Sequence, residues 1–159
     1  MSSSSSSRVW LTGLGITAAS ILAVSQVIAH EGATGVVKER MDYMKTLGDN
    51  TGAIGAMFKG EAPYDLQAVQ EHAGVLAGEA PRLTELFPEG SNEAPSETLP
   101  VTWEQWEDFQ AKAADFQAAS TALQETAEAE AEQAEVRAAF VRMGRTCGGC
   151  HEVYRKPKE

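Results

Sequence analysis

The chain has 159 residues, of which 43% are hydrophobic and 7% aromatic, and 13 Lys and Arg against 23 Asp and Glu give it a formal net charge of -10. That length suits one domain and excludes a large multidomain enzyme. The acidic balance argues against nucleic-acid binding, because neutralising phosphates requires clustered Lys and Arg. Two cysteines are too few for a disulfide-rich scaffold.

The N-terminus has the composition of an export signal. A serine run and one arginine precede an apolar stretch from Val9 to Val27, and no acidic residue occurs before Glu31. Val27-Ile28-Ala29 fits the small-x-small pattern that a signal peptidase cleaves. We therefore expect a signal peptide over residues 1–29, cut after Ala29, and one domain over residues 30–159. The apolar run is also about long enough to span a bilayer, so an uncleaved anchor is the alternative. A cleaved signal peptide and an uncleaved anchor would both place the domain outside the cytoplasm.

The first half of the domain reads as two helices. An apolar stripe with helical period runs from Thr34 to Phe58, and Lys59–Pro63 breaks it. Asp65 is a good N-cap for the second helix, which Pro81 should end or bend.

The second half reads as a loop and two more helices. Pro88, Pro95 and Pro100 predict the loop, and Thr102-Trp103-Glu104-Gln105 has the capping-box pattern that opens a third helix. A glutamate-rich stretch, 125–135, is either a loop or a solvated helical segment. The fourth stripe runs from Val136 to Tyr154. Four amphipathic helices without strands predict an all-α, antiparallel four-helix bundle.

Both cysteines belong to one motif near the C-terminus. Cys147-Gly148-Gly149-Cys150-His151 is the C-x-x-C-H pattern of covalent c-type haem attachment. Residues three and four apart share a helix face, so both thiols and the imidazole project together. The thiols can then add to the two haem vinyl groups while the imidazole reaches the iron. Because Cys147 and Cys150 continue the apolar stripe of the fourth helix, we expect one covalent haem c inside the bundle.

Other uses of the cysteines fit less well. A thioredoxin-like dithiol expects a βαβ context, which the sequence lacks. A structural zinc site needs four ligands, and His30 and His72 do not complete the set. A disulfide across a helical i, i+3 pair has awkward geometry and leaves His151 without a role.

The sequence resembles the class II c-type cytochromes, the cytochrome c prime family, over essentially all of the expected mature chain. The resemblance rests on a haem motif near the C-terminus of a four-helix bundle and on four stretches. These are Arg145–Arg155, Lys59–Asp65, Leu86–Ser91 and Trp103–Phe109. It implies that His151 is the proximal iron ligand and that Cys147 and Cys150 form the thioethers.

The resemblance also implies what faces the other side of the iron. Aligned on Lys59-Gly60, the distal residue is Met44, and Arg40 falls at the family's arginine, which could pair with a haem propionate. A Met44 ligand would make a six-coordinate electron carrier of the cytochrome c-556 type. If Met44 only packs over the iron, the haem is five-coordinate and binds small gases such as NO or CO. Met41 is a weaker ligand candidate, and the alternative for Arg40 is a solvated helix charge.

These expectations imply a periplasmic protein with a redox partner of unknown identity, no membrane contact after signal cleavage, and a monomeric or homodimeric state. No nucleophile–base pair or phosphate loop stands out, so we do not expect an enzyme. The end of the chain that carries the haem motif is locally basic and could dock an acidic partner. Its cations are Arg142, Arg145, Arg155, Lys156 and Lys158. Trp103, Trp106, Phe109, Phe140 and Tyr154 are candidates for the haem wall.

Overall fold

The computed structural model describes residues 32–157, so the signal peptide expected over residues 1–29 lies outside the described part. The helices, in chain order, are α1 (Gly35–Lys59), α2 (Leu66–Glu79), a 3-10 helix (Ala80–Leu86), the single turn α3 (Val101–Glu104), α4 (Trp106–Glu128) and α5 (Gln133–Tyr154). Within residues 32–157 there is no strand, and a single isolated bridge pairs Thr98 with Arg155. The long helices α1, α2, α4 and α5 form the predicted four-helix bundle. No helix of this part of the chain is long and apolar enough to cross a membrane.

The predicted break between the first two helices is confirmed. Gly60 ends α1 in the left-handed conformation with φ 78°, which glycine adopts without a Cβ penalty. The Asp65 side chain then caps α2, accepting hydrogen bonds from the backbone N–H groups of Gln67 at 2.9 Å and Ala68 at 3.3 Å.

Pro81 changes the helix as predicted. It lies in the first turn of the 3-10 segment that follows α2, where its missing N–H removes a donor from the α-helical ladder. The segment stays in the core through Leu83 and Leu86, which are buried.

The capping-box prediction for the third helix is wrong. Thr102 lies inside the α3 turn, and its buried hydroxyl has no hydrogen-bond partner. Pro100, with φ -56°, starts that turn before Thr102, because the fixed φ of a proline suits the first turn of a helix. Gln105 interrupts it with φ -118° and ψ 43°, and α4 begins at Trp106 without a side-chain cap. The Trp103 indole N–H donates to Phe87 O at 3.0 Å, which ties this turn to the preceding loop.

The glutamate-rich stretch is partly helix and partly turn. Helix α4 continues to Glu128 and α5 begins at Gln133, with Glu130 at φ 51° in the turn between them. The acidic side chains from Glu128 to Glu135 are exposed, so they form a solvated surface as expected.

The core is built mainly by α2, α4 and α5. Helix α4 packs along both α2 and α5, whereas α1 and α5 touch over little of their length. Val69, Leu76, Phe109, Leu123, Val136 and Met143 are among the fully buried side chains. Along α1 only Arg40, Tyr43 and Ile54 are buried, and Met41 and Met44 are half-buried. The sparse contact between α1 and α5 is what positions the candidate site.

Candidate functional site

The C-x-x-C-H residues lie in the last two turns of α5. Cys147 and Cys150 are half-buried free thiols that pack against the core, and His151 beside them is also half-buried. The disulfide alternative is therefore not formed. Residues 32–157 contain no group of three or more His, Cys, Asp or Glu that could hold a metal ion, so they offer no zinc site of the kind considered above.

Burial controls the chemistry of the two thiols. It raises the pKa of Cys150 to about 11 and also raises the pKa of Cys147. The nearby Lys112 opposes the shift at Cys150, while the neighbouring Cys147 adds to it. Both thiols are consequently protonated at neutral pH, which makes them poor nucleophiles without assistance.

The backbone between the cysteines is uncrowded, as expected. A Cβ added at Gly148 or Gly149 would meet no heavy atom within 4 Å. Gly148 is exposed and Gly149 half-buried. This turn of α5 can therefore accept a bulky planar group beside it without a steric conflict at the glycines.

One contact sets the register of α1 against α5. The Phe140 ring lies 3.6 Å from the position that a Cβ on Gly55 would occupy. Met44 lies before Gly55 in α1, and His151 lies after Phe140 in α5. The two separations contain the same number of residues. The first and fourth helices of an up-down-up-down bundle run in opposite directions with the same rise per residue, so counting from this contact brings Met44 near the level of His151.

A second contact gives the same register independently. The Arg40 guanidinium donates to Thr98 Oγ1 at 3.0 Å, and Thr98 forms the isolated bridge with Arg155. Arg40 precedes Met44 by as many residues as Arg155 follows His151. The loop segment around Thr98 thus joins α1 to the end of α5. The pairing of positions along the two helices that it implies is the one expected from the Gly55 contact.

The region where α1 faces α5 has an aromatic cluster towards one end and a loop towards the other. At one end the Phe58 ring lies 5.6 Å from Tyr64 and 5.5 Å from Phe140, centroid to centroid. At the other end lies the loop that carries Thr98. Between these ends α1 presents Met44 and Leu47, which are half-buried and pack against the core.

Arg40 is buried, with 4% of its surface exposed, so the alternative of a solvated helix charge is wrong. Its Nε donates to Leu86 O at 2.9 Å, and its guanidinium lies 4.3 Å above the Phe87 ring centroid. Its Nη1 also donates to the Ser91 carbonyl and the Ser96 hydroxyl, and its Nη2 to the Ser91 hydroxyl. An arginine has five N–H donors, so Nη2 retains one for a further acceptor.

The other predicted residues separate into two groups. Phe140 belongs to the aromatic cluster with Phe58, whereas Phe109 is core, with ring centroids 4.8 Å from Phe87 and 5.3 Å from both Trp106 and Tyr154. His72 lies on α2, where its Nδ1 is 2.8 Å from Asn50 Oδ1. It is not among the residues between α1 and α5.

Sequence reasoning did not identify Leu47, Phe58 and Tyr64 as site residues, nor the loop that Arg40 binds. The sequence did contain one signal that Arg40 is buried. It is a cation within an apolar stripe, one turn before Met44. Its partners could not be named, because they lie 46 to 58 residues further along the chain.

Comparison with known proteins agrees with the four-helix bundle and with the haem-attachment motif. A sequence profile described as cytochrome c′ matches residues 35–155. A cytochrome c-556 of Agrobacterium tumefaciens (strain II Chrys) is 38% identical over 124 residues, 78% of this chain and 99% of that protein. The cytochrome c prime structure from Shewanella frigidimarina superposes with a TM-score of 0.74 at 31% identity, covering 77% of this chain and 94% of that one. A mutant cytochrome c prime from Alcaligenes xylosoxidans, solved as its nitric oxide complex, gives 0.70 at 28% identity, with 77% and 94% covered.

Proposed function

The chain belongs to the cytochrome c′ family and takes covalent haem c as its cofactor, and from this we propose that it is a periplasmic carrier of single electrons with His151 and Met44 on opposite sides of the haem iron. The described residues fit that cofactor. Two free thiols lie beside a histidine on one helix, open backbone separates them, and α1 carries a half-buried methionine that packs against the core.

Each residue of the motif has a separate role in this proposal. Cys147 and Cys150 would hold the haem through thioether bonds, and His151 would supply a nitrogen ligand to its iron. When bound, the haem supplies a reversible one-electron couple.

The observation that carries the proposal is the common level of Met44 and His151. Two independent contacts, Gly55 with Phe140 and Arg40 with Thr98, support it. A thioether at that level can complete the coordination opposite the imidazole. Met41 is also half-buried but lies about one helical turn nearer the loop, at the level of Tyr154.

Met44 would set the function through two properties. A soft sulfur ligand raises the reduction potential, and a filled sixth position keeps small ligands from the iron. Its packing against apolar neighbours also keeps water away from that position. One-electron transfer forms and breaks no bond at the protein, so we assign no catalytic residue.

Arg40 would act at the edge of the same site. The N–H that remains on Nη2 is suited to a haem propionate, because a guanidinium binds a carboxylate through charge-assisted hydrogen bonds. Its other donors fix the guanidinium before the propionate arrives. In that role Arg40 positions the cofactor and does not take part in the electron transfer.

One observation favours the second candidate function, a five-coordinate haem that binds gas. The Alcaligenes xylosoxidans relative was solved with nitric oxide bound. In this chain such a site would require Met44 to remain packed on the core beside an open iron position.

Optical and electron paramagnetic resonance spectra of the haem-loaded protein separate the two. We expect low-spin spectra in both oxidation states and no change on adding CO to the ferrous protein. A high-spin ferrous spectrum that CO converts at low concentration would contradict the electron-carrier proposal and support the gas-binding one.

A further inference from the structure

The outward face of α5 carries a basic stripe that the haem motif does not explain. Its residues line a shallow depression and consist of Ala134, Arg137, Ala138, Val141, Arg142 and Arg145. All three arginines are exposed, and Val141, between them, leaves 44% of its surface exposed. We call these six residues the α5 outer stripe.

The stripe is a local reversal of charge in an acidic protein. The whole chain carries a net charge of -10, yet no acidic residue occurs from Val136 to His151. Elsewhere in the described chain several surface cations are paired, such as Arg82 with Glu79 at 2.9 Å. Within residues 32–157 the three stripe arginines make no ion pair, so their charge is available to another molecule.

The stripe leads directly to the candidate haem attachment. Gly148 is exposed and follows Arg145 by about one helical turn on the same outward face. No side chain covers the backbone there, because Gly148 and Gly149 bear none and their surroundings are open. A molecule seated on the stripe would thus approach the backbone that joins the two cysteines. Electron transfer slows steeply with distance, so that approach is valuable.

We propose that the α5 outer stripe is the docking surface for an acidic face of a redox partner protein, with Val141 as the apolar centre and the three arginines around it. This rests on the electron-carrier function proposed above. Charge complementarity argues for the partner's chemistry, since unpaired cations attract and orient an acidic surface while the rest of this chain repels it. A small apolar centre with a charged rim is the usual composition of transient interfaces.

The step at this surface is an exchange of one electron. The ferrous protein loses one electron, the acceptor gains it, and no bond or proton changes. Hexacyanoferrate(III) can stand for the acidic partner, since it is anionic and becomes hexacyanoferrate(II) on accepting the electron.

The first test maps binding without electron transfer. Hexacyanochromate(III) is anionic, paramagnetic and inert here, so it broadens amide signals where it binds to the 15N-labelled, haem-loaded protein. We expect broadening at Arg137–Gly149 and its loss in the double variant Arg142→Glu/Arg145→Glu. Arg82→Glu makes the same type of charge reversal on the 3-10 helix, outside the stripe, and should leave the broadening unchanged. Broadening centred elsewhere, or unaffected by the double variant, would overturn the proposal.

The second test measures oxidation by hexacyanoferrate(III). The wild-type rate should fall as salt is added, because local attraction governs the encounter, and the double variant should be about 10-fold slower at low salt. A rate that rises with salt would mean that the net negative charge governs, and would overturn the proposal. The spin-state spectra report the electron-carrier function separately, so either can fail alone.

A membrane is the competing occupant of a basic stripe. Cosedimentation with anionic phosphatidylglycerol vesicles, abolished by the double variant and retained in Arg82→Glu, would assign the stripe to a lipid surface and overturn the protein-docking proposal. We expect no cosedimentation at physiological salt.

Discussion

Arg40 and Thr98 lie 58 residues apart in the chain, and the Arg40 guanidinium donates to the Thr98 hydroxyl at 3.0 Å. Thr98 also pairs with Arg155 just beyond α5. A buried cation on α1 thus fixes a proline-rich loop that in turn contacts the helix carrying the C-x-x-C-H motif. The loop borders one end of the candidate site between α1 and α5, so Arg40 helps to hold that end of the site in place.

Replacing Arg40 should destabilise the fold well beyond an ordinary surface change. Arg40→Leu leaves several buried loop oxygens without a donor, and we expect the free energy of unfolding to fall by roughly 2–4 kcal/mol. Urea unfolding followed by circular dichroism measures this. Arg40→Lys keeps the positive charge but lacks the forked guanidinium group. It should therefore recover only part of the free energy of unfolding that Arg40→Leu loses. Lys38→Leu, an exposed control two residues away, should cost little, and an equal loss there would refute the assignment.

The sequence alone predicts the elements whose signals are local. Asp65 caps α2 as predicted and Gly60 ends α1 inside the predicted break, because a cap needs only the backbone within a few residues. The capping-box signal at Thr102 is equally local, yet Thr102 does not cap a helix. The reason is that the α3 turn already starts at Pro100 and that Trp103 is hydrogen-bonded to Phe87. The partners of Arg40 and the level of Met44 against His151 depend on packing between distant segments. For Met44 the family resemblance supplied the candidate, and the register of the bundle supports it.

The glycines of α1 offer a stabilising substitution. Gly52 is exposed in the helix interior, and an added Cβ would meet nothing within 4 Å. Gly52→Ala should therefore raise the free energy of unfolding by about 1 kcal/mol through helix propensity. Gly60→Ala is the opposite case, because φ at Gly60 is 78° and an alanine there is strained. Thermal unfolding of the pair should show shifts of opposite sign; a destabilised Gly52→Ala would mean that this face of α1 is covered.

Stability should decline in alkali in a window set by the tyrosines. Burial, assisted by Asp108, raises the pKa of Tyr154 to about 12, and burial also raises the pKa of Tyr43 and Tyr64. Unfolded tyrosines ionise near pH 10, so the unfolded state releases protons first and stability is lost from about pH 10 towards pH 12. Tyr154→Phe should reduce the slope of this loss in urea titrations. The same slope in variant and wild type would show that Tyr154 does not contribute.

Covalent haem should depend on the cysteine pair. The chain has two cysteines, so Cys147→Ala/Cys150→Ala should yield protein from which acidified organic solvent extracts all haem. Each single variant should keep one thioether, seen as a shifted pyridine haemochrome band. Met44→Leu is the control and should keep both thioethers when matured in the same cells. Haem that stays attached in the double variant would place the linkage elsewhere.

The most direct test of Met44 as the distal ligand is the proton NMR spectrum of the ferrous, haem-loaded protein. A methionine methyl group bound to low-spin haem iron lies over the ring and resonates far upfield of ordinary methyl groups. We predict one such resonance in the wild type, its persistence in Met41→Leu and its disappearance in Met44→Leu. The absence of that resonance from the wild type, or its survival in Met44→Leu, would contradict the account.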